Sequence, residues 1–241
     1  MHDLLLGVVA TVAGAIASVT GFGIGSLLTP MFALRVPLKL AVAVVSVPHF
    51  IGTAIRFWML RGKADRRVLA TFGLASAAGG LTGALLHARL GSPILSAVFG
   101  ALLLFVAVMQ FTGAADRLRF GGAVALGAGA LSGLLGGLVG NQGGIRSAGL
   151  LGFEMPKESF VATATAIGLL VDGARMPVYL ATEGREMSQL AVPMVIAIAG
   201  VVFGTVAGAR VMRRVPERWF RRLVALVLAA LGLAMLWQAF S

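Results

Sequence analysis

Apolar stretches of about 20 residues recur along the whole chain and constrain its fold more than any other feature. A helix rises about 1.5 Å per residue, so about 20 residues cross the roughly 30 Å hydrocarbon core of a bilayer. Two further apolar pieces, 22–34 and 142–153, are too short to cross. The longer stretches predict membrane-spanning helices near 4–20, 40–60, 68–87, 93–112, 120–139, 159–181, 187–209 and 219–240.

The composition excludes the soluble classes of protein. Hydrophobic residues make up 59% of the chain and charged residues only 12%, whereas about a quarter of a soluble domain is charged. The absence of cysteine excludes disulfides and thiolate metal sites, and we expect no metal site and no cofactor. Polar segments between the apolar stretches are short, so residues 1–241 are predicted to form one all-α transmembrane domain.

The two halves of the chain, 1–115 and 120–241, resemble each other at an offset of 119 residues. Each half reads as a long apolar run, a glycine-rich break, a short apolar piece, a proline-marked loop and three spans. This order predicts two repeats. The residue pairs that match at this offset are Gly14 with Gly133, Gly21 with Gly140, Gly25 with Gly144, Pro37 with Pro156, and Arg56 with Arg175.

The distribution of basic residues predicts how the repeats are oriented, because cytoplasmic loops are enriched in Lys and Arg. If each short piece returns as a re-entrant hairpin, the repeats are inverted and 13 basic residues lie on one side against 4 on the other. If each short piece extends the first helix, the split is 7 against 10. The sharper asymmetry favours inverted repeats with both termini outside the cytoplasm. The 13 basic residues of the cytoplasmic side lie at 61–67, 117–119, 157 and 210–222. The 4 on the other side are Arg35, Lys39, Arg89 and Arg185.

The glycine-rich breaks at 20–26 and 136–147 are candidate binding sites. Irregular backbone at membrane depth is tolerated only against protein or a wet cavity, and broken helices form the substrate site in inverted-repeat transporters. The short apolar pieces 22–34 and 142–153 begin at these breaks and form the return arms of the predicted hairpins. The free N–H groups and the positive dipole end at their N-termini would favour an anion. The alternative is close helix packing through GxxxG spacing, which we prefer for the glycines at 79–83 and 200–208.

The residues of the two breaks supply the candidate substrate contacts. Arg146 is the strongest candidate, because a guanidinium offers paired donors to the oxygens of an anion; the alternative is a structural clamp of the hairpin. The predicted substrate-binding residues are Gly21, Phe22, Gly23, Gly25, Ser26, Asn141, Gln142, Gly143, Gly144, Arg146 and Ser147.

Four further ionisable residues lie within the predicted spans and are candidates for coupling or gating: Arg56, Arg175, Asp172 and His49. Arg56 and Arg175 could instead snorkel to the interface. Asp172 and Arg175 are three residues apart, which on a helix predicts an ion pair rather than a proton carrier. His49 could titrate near neutrality or be a satisfied core residue.

The paired breaks, the duplicated halves and the run Gly140-Asn141-Gln142-Gly143-Gly144-Ile145-Arg146-Ser147 resemble the TauE/SafE sulfite-exporter family of bacterial membrane permeases. The resemblance implies a secondary transporter in the bacterial inner membrane for small sulfur-containing anions such as sulfite, thiosulfate or organosulfonates. The chain departs from the family pattern at Ile24 and Ser26, where more glycine is usual, and at Ala148-Gly149, where proline is frequent.

Two other functions fit parts of the sequence. A passive anion channel would use the same breaks and the same arginine. An intramembrane enzyme is less consistent, because ionisable groups are few and scattered. The breaks lack the Lys-Ser/Thr ending of a phosphate-binding loop, so ATP would have to act through another protein. We expect an anionic substrate and lipid as partners, and no nucleic acid, because the net charge of +11 is explained by membrane orientation.

Overall fold

The computed structural model describes residues 2–21, 23–113, 122–141, 143–212 and 217–240. This part of the chain is helical and contains no strand. Phe22 and Gln142 fall outside the described residues, and a π-helical turn occupies Leu69–Gly73. The helices are α1 (His2–Thr20), α2 (Ile24–Ala33), α3 (Leu38–Leu60), α4 (Arg66–Arg89), α5 (Ser92–Thr112), α6 (Gly122–Val139), α7 (Gly143–Leu150), α8 (Lys157–Gln189), α9 (Ala191–Met212) and α10 (Glu217–Phe240).

A helix lies at each predicted span, and the bundle is a multi-pass membrane structure. Four of the described helical segments are long and apolar enough to cross a bilayer: Leu38–Lys63, Arg66–Arg89, Ser92–Thr112 and Lys157–Gln189. Shorter apolar segments lie in the remaining helices. Many large apolar side chains are exposed along the outside, among them Phe203 and Trp237. Exposed apolar surface of this extent would be a liability in water, whereas lipid accommodates it.

Glycine seams hold the first helix of each half against a helix of the other half. A Cβ atom on Gly14 of α1 would lie 2.4 Å from the Val201 carbonyl oxygen of α9, and one on Gly204 would lie 2.0 Å from that of Thr11. The packing of α6 against α4 is equally close, because a Cβ on Gly83 would lie 2.0 Å from the Leu134 carbonyl oxygen. The preferred interpretation of these GxxxG sets as helix contacts is therefore confirmed.

The same packing pattern occurs twice when the halves are exchanged. Helix α1 packs on α9 and its counterpart α6 packs on α4, while α3 pairs with α8 and α5 with α10. Both α3 and α8 begin after a proline with nearly identical backbone angles, φ −52° and ψ 143° at Pro37, φ −53° and ψ 146° at Pro156. Neither half therefore buries its helices without the other.

Polar contacts at one end of the bundle join the segment after α3 to the start of α8. Lys63 forms an ion pair with Glu158, and the Asp65 amide donates a hydrogen bond to Thr163 Oγ1 over 2.8 Å. The two loops that contain these residues, 61–67 and 154–158, therefore lie at the same end.

Contacts at the opposite end involve a different set of segments. Lys39 Nζ donates to the Ala88 carbonyl oxygen at 2.8 Å and lies 3.6 Å from Glu183 Oε1. Gln238 Nε2 donates to the Ala33 carbonyl oxygen at 3.3 Å. This end therefore collects the start of α3, the end of α4, the last turns of α8 and the last turn of α10.

Helix α2 doubles back along α1. The two helices contact each other, and a small cavity of about 50 Å³ brings the start of α1 beside the end of α2. The cavity contains none of the candidate binding residues, since its lining is Leu6, Met31, Phe32, Arg35, Val36, Leu190 and Pro193.

The glycine seams give a direct test of the packing. We expect Gly204→Ala to lower stability, because overpacking a tight contact costs about 1–3 kcal/mol. Gly173→Ala in α8 is the matched control, since a Cβ there would meet nothing within 4 Å. Thermal unfolding of the detergent-solubilised protein measures both. Equal melting temperatures for the two variants would contradict a backbone contact at Gly204.

Candidate functional site

The two breaks have the same backbone geometry at repeat-equivalent positions. Gly21 has φ of +79° and Gly140 has φ of +74°, a left-handed conformation that favours glycine. The Gly21 amide donates to the Ala17 carbonyl oxygen at 2.9 Å, and the Gly140 amide donates to that of Gly136 at 3.0 Å. Helices α1 and α6 therefore end in the same way inside the bundle.

The breaks contact each other. A Cβ atom on Gly25, in the first turn of α2, would lie 2.3 Å from the Gly140 carbonyl oxygen. Arg146 Nη2, in the first turns of α7, donates to the Gly21 carbonyl oxygen at 2.8 Å. The residues that the sequence singles out in separate halves are thus brought into one buried region.

Two arginines satisfy carbonyl groups where the first helices end. Arg56 Nη1 donates to the Ala17 carbonyl oxygen, and Arg175 Nη1 donates to that of Gly136 at 2.7 Å. Because both side chains are buried, the alternative that they snorkel to the interface is wrong. The physical reason is that the last carbonyls of a broken helix need donors.

A chain of polar side chains connects these two arginines. Arg56 Nη2 donates to Thr53 Oγ1 at 3.2 Å, which lies 3.5 Å from His49 Nδ1. His49 Nδ1 donates to Asp172 Oδ2 at 2.6 Å, and Asp172 Oδ1 accepts from Arg175 Nε at 3.0 Å and Nη2 at 2.8 Å. The predicted ion pair of Asp172 with Arg175 is confirmed, and His49 has a charged partner.

Two further donors, which sequence reasoning missed, reach the carbonyl groups at the end of α6 from α8 and α4. The Tyr179 hydroxyl donates to the Gly137 carbonyl oxygen, and His87 Nδ1 donates to that of Leu138 at 2.8 Å. Both side chains are fully buried. No local pattern marks them, although Tyr179 is the one tyrosine of the sequence and a buried tyrosine needs a hydrogen-bond partner.

Arg146 has donor capacity that the described residues do not use. Its side chain is 2% exposed, and its Nε and Nη1 atoms find no hydrogen-bond partner in the described part of the protein. A Cβ atom on Gly168 would lie 2.8 Å from Nη1, so the guanidinium packs against this glycine. Buried unused donors are unfavourable, which makes this guanidinium suited to an anion.

Two neighbouring polar groups share this property. Asn141 Nδ2 and Thr29 Oγ1 are buried and have no partner among the described residues. Thr29 Oγ1 and Arg175 Nη1 lie 3.9 Å and 3.5 Å from a Cβ placed on Gly140. Thr29 was not among the predicted contacts, and its polarity within the return arm was the signal for it.

The remaining predicted residues divide by burial. Gly144 and Ser147 are half-buried, and Gly144 contacts α5, because a Cβ atom on it would lie 2.8 Å from Val106 Cγ2. The fully buried candidates are Gly21, Gly23, Gly25, Ser26, Asn141, Gly143 and Arg146.

The described residues contain no group of three or more side chains suited to a metal ion.

The chain matches the model of one family of known proteins. The family model described as sulfite exporter TauE/SafE matches residues 6–235, nearly the whole chain. The chain belongs to the TauE/SafE family. Neither a search of the curated proteins nor a search of the solved structures gave a match. Membership of TauE/SafE makes the chain a membrane transporter of the sulfite-exporter type, and the resemblance carried by the second break is confirmed.

The buried ion pair predicts a large loss of stability when one partner is removed. We expect Asp172→Asn to cost about 3–5 kcal/mol, because it leaves the Arg175 charge buried without its counter-ion. Glu158→Gln, which breaks the exposed pair with Lys63, should leave stability unchanged. Thermal melts of both variants in one detergent give the comparison. An Asp172→Asn protein as stable as Glu158→Gln would show that the buried ion pair within α8 does not stabilise the fold.

Proposed function

We propose that this TauE/SafE protein is a secondary transporter that moves sulfite, thiosulfate or organosulfonates across the bacterial plasma membrane. The anion binds between the two breaks, and Arg146 is its principal ligand. The observation that carries this proposal is the buried Arg146 guanidinium, which has two nitrogens without a partner in the described structure. Family membership supports transport of sulfur anions in general.

The charges around the breaks favour an anion over a cation. Arg56, Arg146 and Arg175 contribute three positive charges, and Asp172 contributes one negative charge. The first turn of α7 adds amide N–H groups at its positive end. A sulfite or sulfonate group presents several oxygens on one centre, and these can accept from Arg146 Nε and Nη1 together. Such charge-assisted bonds offset the desolvation of the anion.

Contacts at the bundle ends support inverted repeats with re-entrant hairpins. If the short pieces extended the first helices, loop 61–67 would lie on the opposite side from loop 154–158. The Lys63–Glu158 ion pair joins these two loops, and Lys39 and Glu183 meet at the other end. Both pairings agree with the arrangement that collects 13 basic residues on the cytoplasmic side and leaves both termini outside.

Arg146 provides the decisive test of the site. We expect Arg146→Ala to raise KM for sulfite about 10–100-fold in proteoliposomes, because bonds to charged groups contribute about 1.5–3 kcal/mol. Arg146→Lys should be intermediate, since it keeps the charge but loses the planar fork. Exposed Arg185→Ala is the matched control and should behave as wild type. Unchanged sulfite flux in folded Arg146→Ala would overturn the site.

His49 is proposed to couple anion movement to protons, while Asp172 accepts the hydrogen bond from its Nδ1 atom. The polar network around the His49 imidazole consists of Asp172, Thr53, Arg56 and Arg175. A proton on His49 adds positive charge near the site, so anion affinity should rise as pH falls.

A sulfonate that stays ionised throughout the pH range makes a clean probe of this coupling. Its flux in proteoliposomes should increase toward low pH and should be driven by an imposed proton gradient. His49→Gln should remove both effects while leaving gradient-free exchange in place. If the flux through the wild-type protein does not change with the imposed proton gradient, a passive channel would be favoured instead.

A further inference from the structure

Helices α3 and α8 run antiparallel and are joined by ionisable side chains at three heights. Lys39 at the start of α3 meets Glu183 in the last turns of α8. His49 meets Asp172 in the middle. Lys63, just after α3, meets Glu158 at the start of α8.

The outer two contacts lie at opposite ends of the helix pair. Lys39 and Lys63 are separated by 24 positions, which corresponds to about 36 Å of helix and thus to the thickness of a bilayer core. The polar network that links the breaks lies between them. Each end of the α3–α8 pair therefore carries one ion pair, with the polar network between them.

The repeat relates the two ion pairs to within one position. Lys39 corresponds to Glu158 at the offset of 119, whereas Lys63 corresponds to Thr182, one position before Glu183. Exchanging the halves therefore brings one pair next to the position of the other with the charges reversed. The counterpart of the middle contact His49–Asp172 carries no charge: it is the contact of Thr53 with Gly168, where Thr53 Cγ2 lies 3.5 Å from a Cβ placed on Gly168.

We propose that Lys39–Glu183 and Lys63–Glu158 are reciprocal gates, each of which closes one end of the α3–α8 pair while the other end opens. This inference rests on the proposed transport function, since a carrier must expose its site to one side at a time. Each gate joins α3 to α8, so tilting of one of these helices against the other separates them at one end only.

The exposure of the pairs fits this role. The side chains of Lys63 and Glu158 are 52% and 71% exposed, whereas those of Lys39 and Glu183 are 25% and 15% exposed. Lys39 also donates to the Ala88 carbonyl oxygen, so it ties the end of α4 into its gate. Ion pairs in contact with water are weak enough to break and re-form in each transport cycle.

Cross-linking across each gate tests the proposal. The chain has no cysteine, so Lys39→Cys/Glu183→Cys and Lys63→Cys/Glu158→Cys can each be linked by a short thiol cross-linker in proteoliposomes. We expect linkage at either end to reduce sulfite turnover at least about tenfold, and cleavage of a reducible linker to restore it. The single-cysteine variants treated with the same reagent are the controls. Unchanged turnover after linkage at either end would overturn reciprocal gating.

Charge reversal tests the ion pairs themselves. Lys39→Glu and Glu183→Lys should each lower the turnover of sulfite, and the double exchange should restore it. A double exchange that is no better than the singles would show that the pair is not a latch. Sulfite transport by the wild-type protein reports separately on the proposed function, so the failure of that function and the failure of the gates are distinguishable.

Discussion

The structure depends on satisfying the carbonyl groups of two helices that end inside the bundle. Water satisfies such groups at an ordinary helix end, whereas in a bilayer the protein must supply the donors. Arg56 and Arg175 do so at Ala17 and Gly136, and Tyr179 and His87 complete the end of α6. Long cationic side chains reach these carbonyls from α3 and α8, and they bring positive charge to the place where the helices break. Only Asp172 offsets this charge among the residues of the network, so the requirement of the backbone also produces an environment for an anion.

A nearly symmetric frame carries an asymmetric site. The backbone of the breaks, the capping arginines and the glycine seams all occur twice, at equivalent positions of the two halves. Arg146 occurs once: the equivalent position 119 residues earlier is Leu27. The guanidinium of Arg146 packs against Gly168, which stands in the second half where the first half has His49. The scaffold of the breaks therefore occurs twice, whereas Arg146 and His49 each stand in one half only.

Local sequence patterns predict the helices and the breaks because both have local physical causes. Apolar runs predict the helices, and the glycines at 21 and 140 mark the positive φ that ends α1 and α6. The repeat offset predicts which residues are equivalent, but it does not predict the register of α3 against α8. The contact of His49 with Asp172, 123 positions apart, therefore stays hidden, as do the gates. Snorkelling of Arg56 and Arg175 was a wrong alternative because the depth of the carbonyls they cap is a tertiary property.

The central claim is that Arg146 binds the transported anion between the breaks. Selenite has the shape and charge of sulfite, and its selenium can be located by anomalous scattering in crystals of the protein. We expect one selenium peak within hydrogen-bond distance of Arg146 Nε and Nη1, beside Gly21 and Gly168, and its loss in crystals of Arg146→Ala. A selenium peak elsewhere in the bundle that persists in Arg146→Ala would show that Arg146 does not bind the anion.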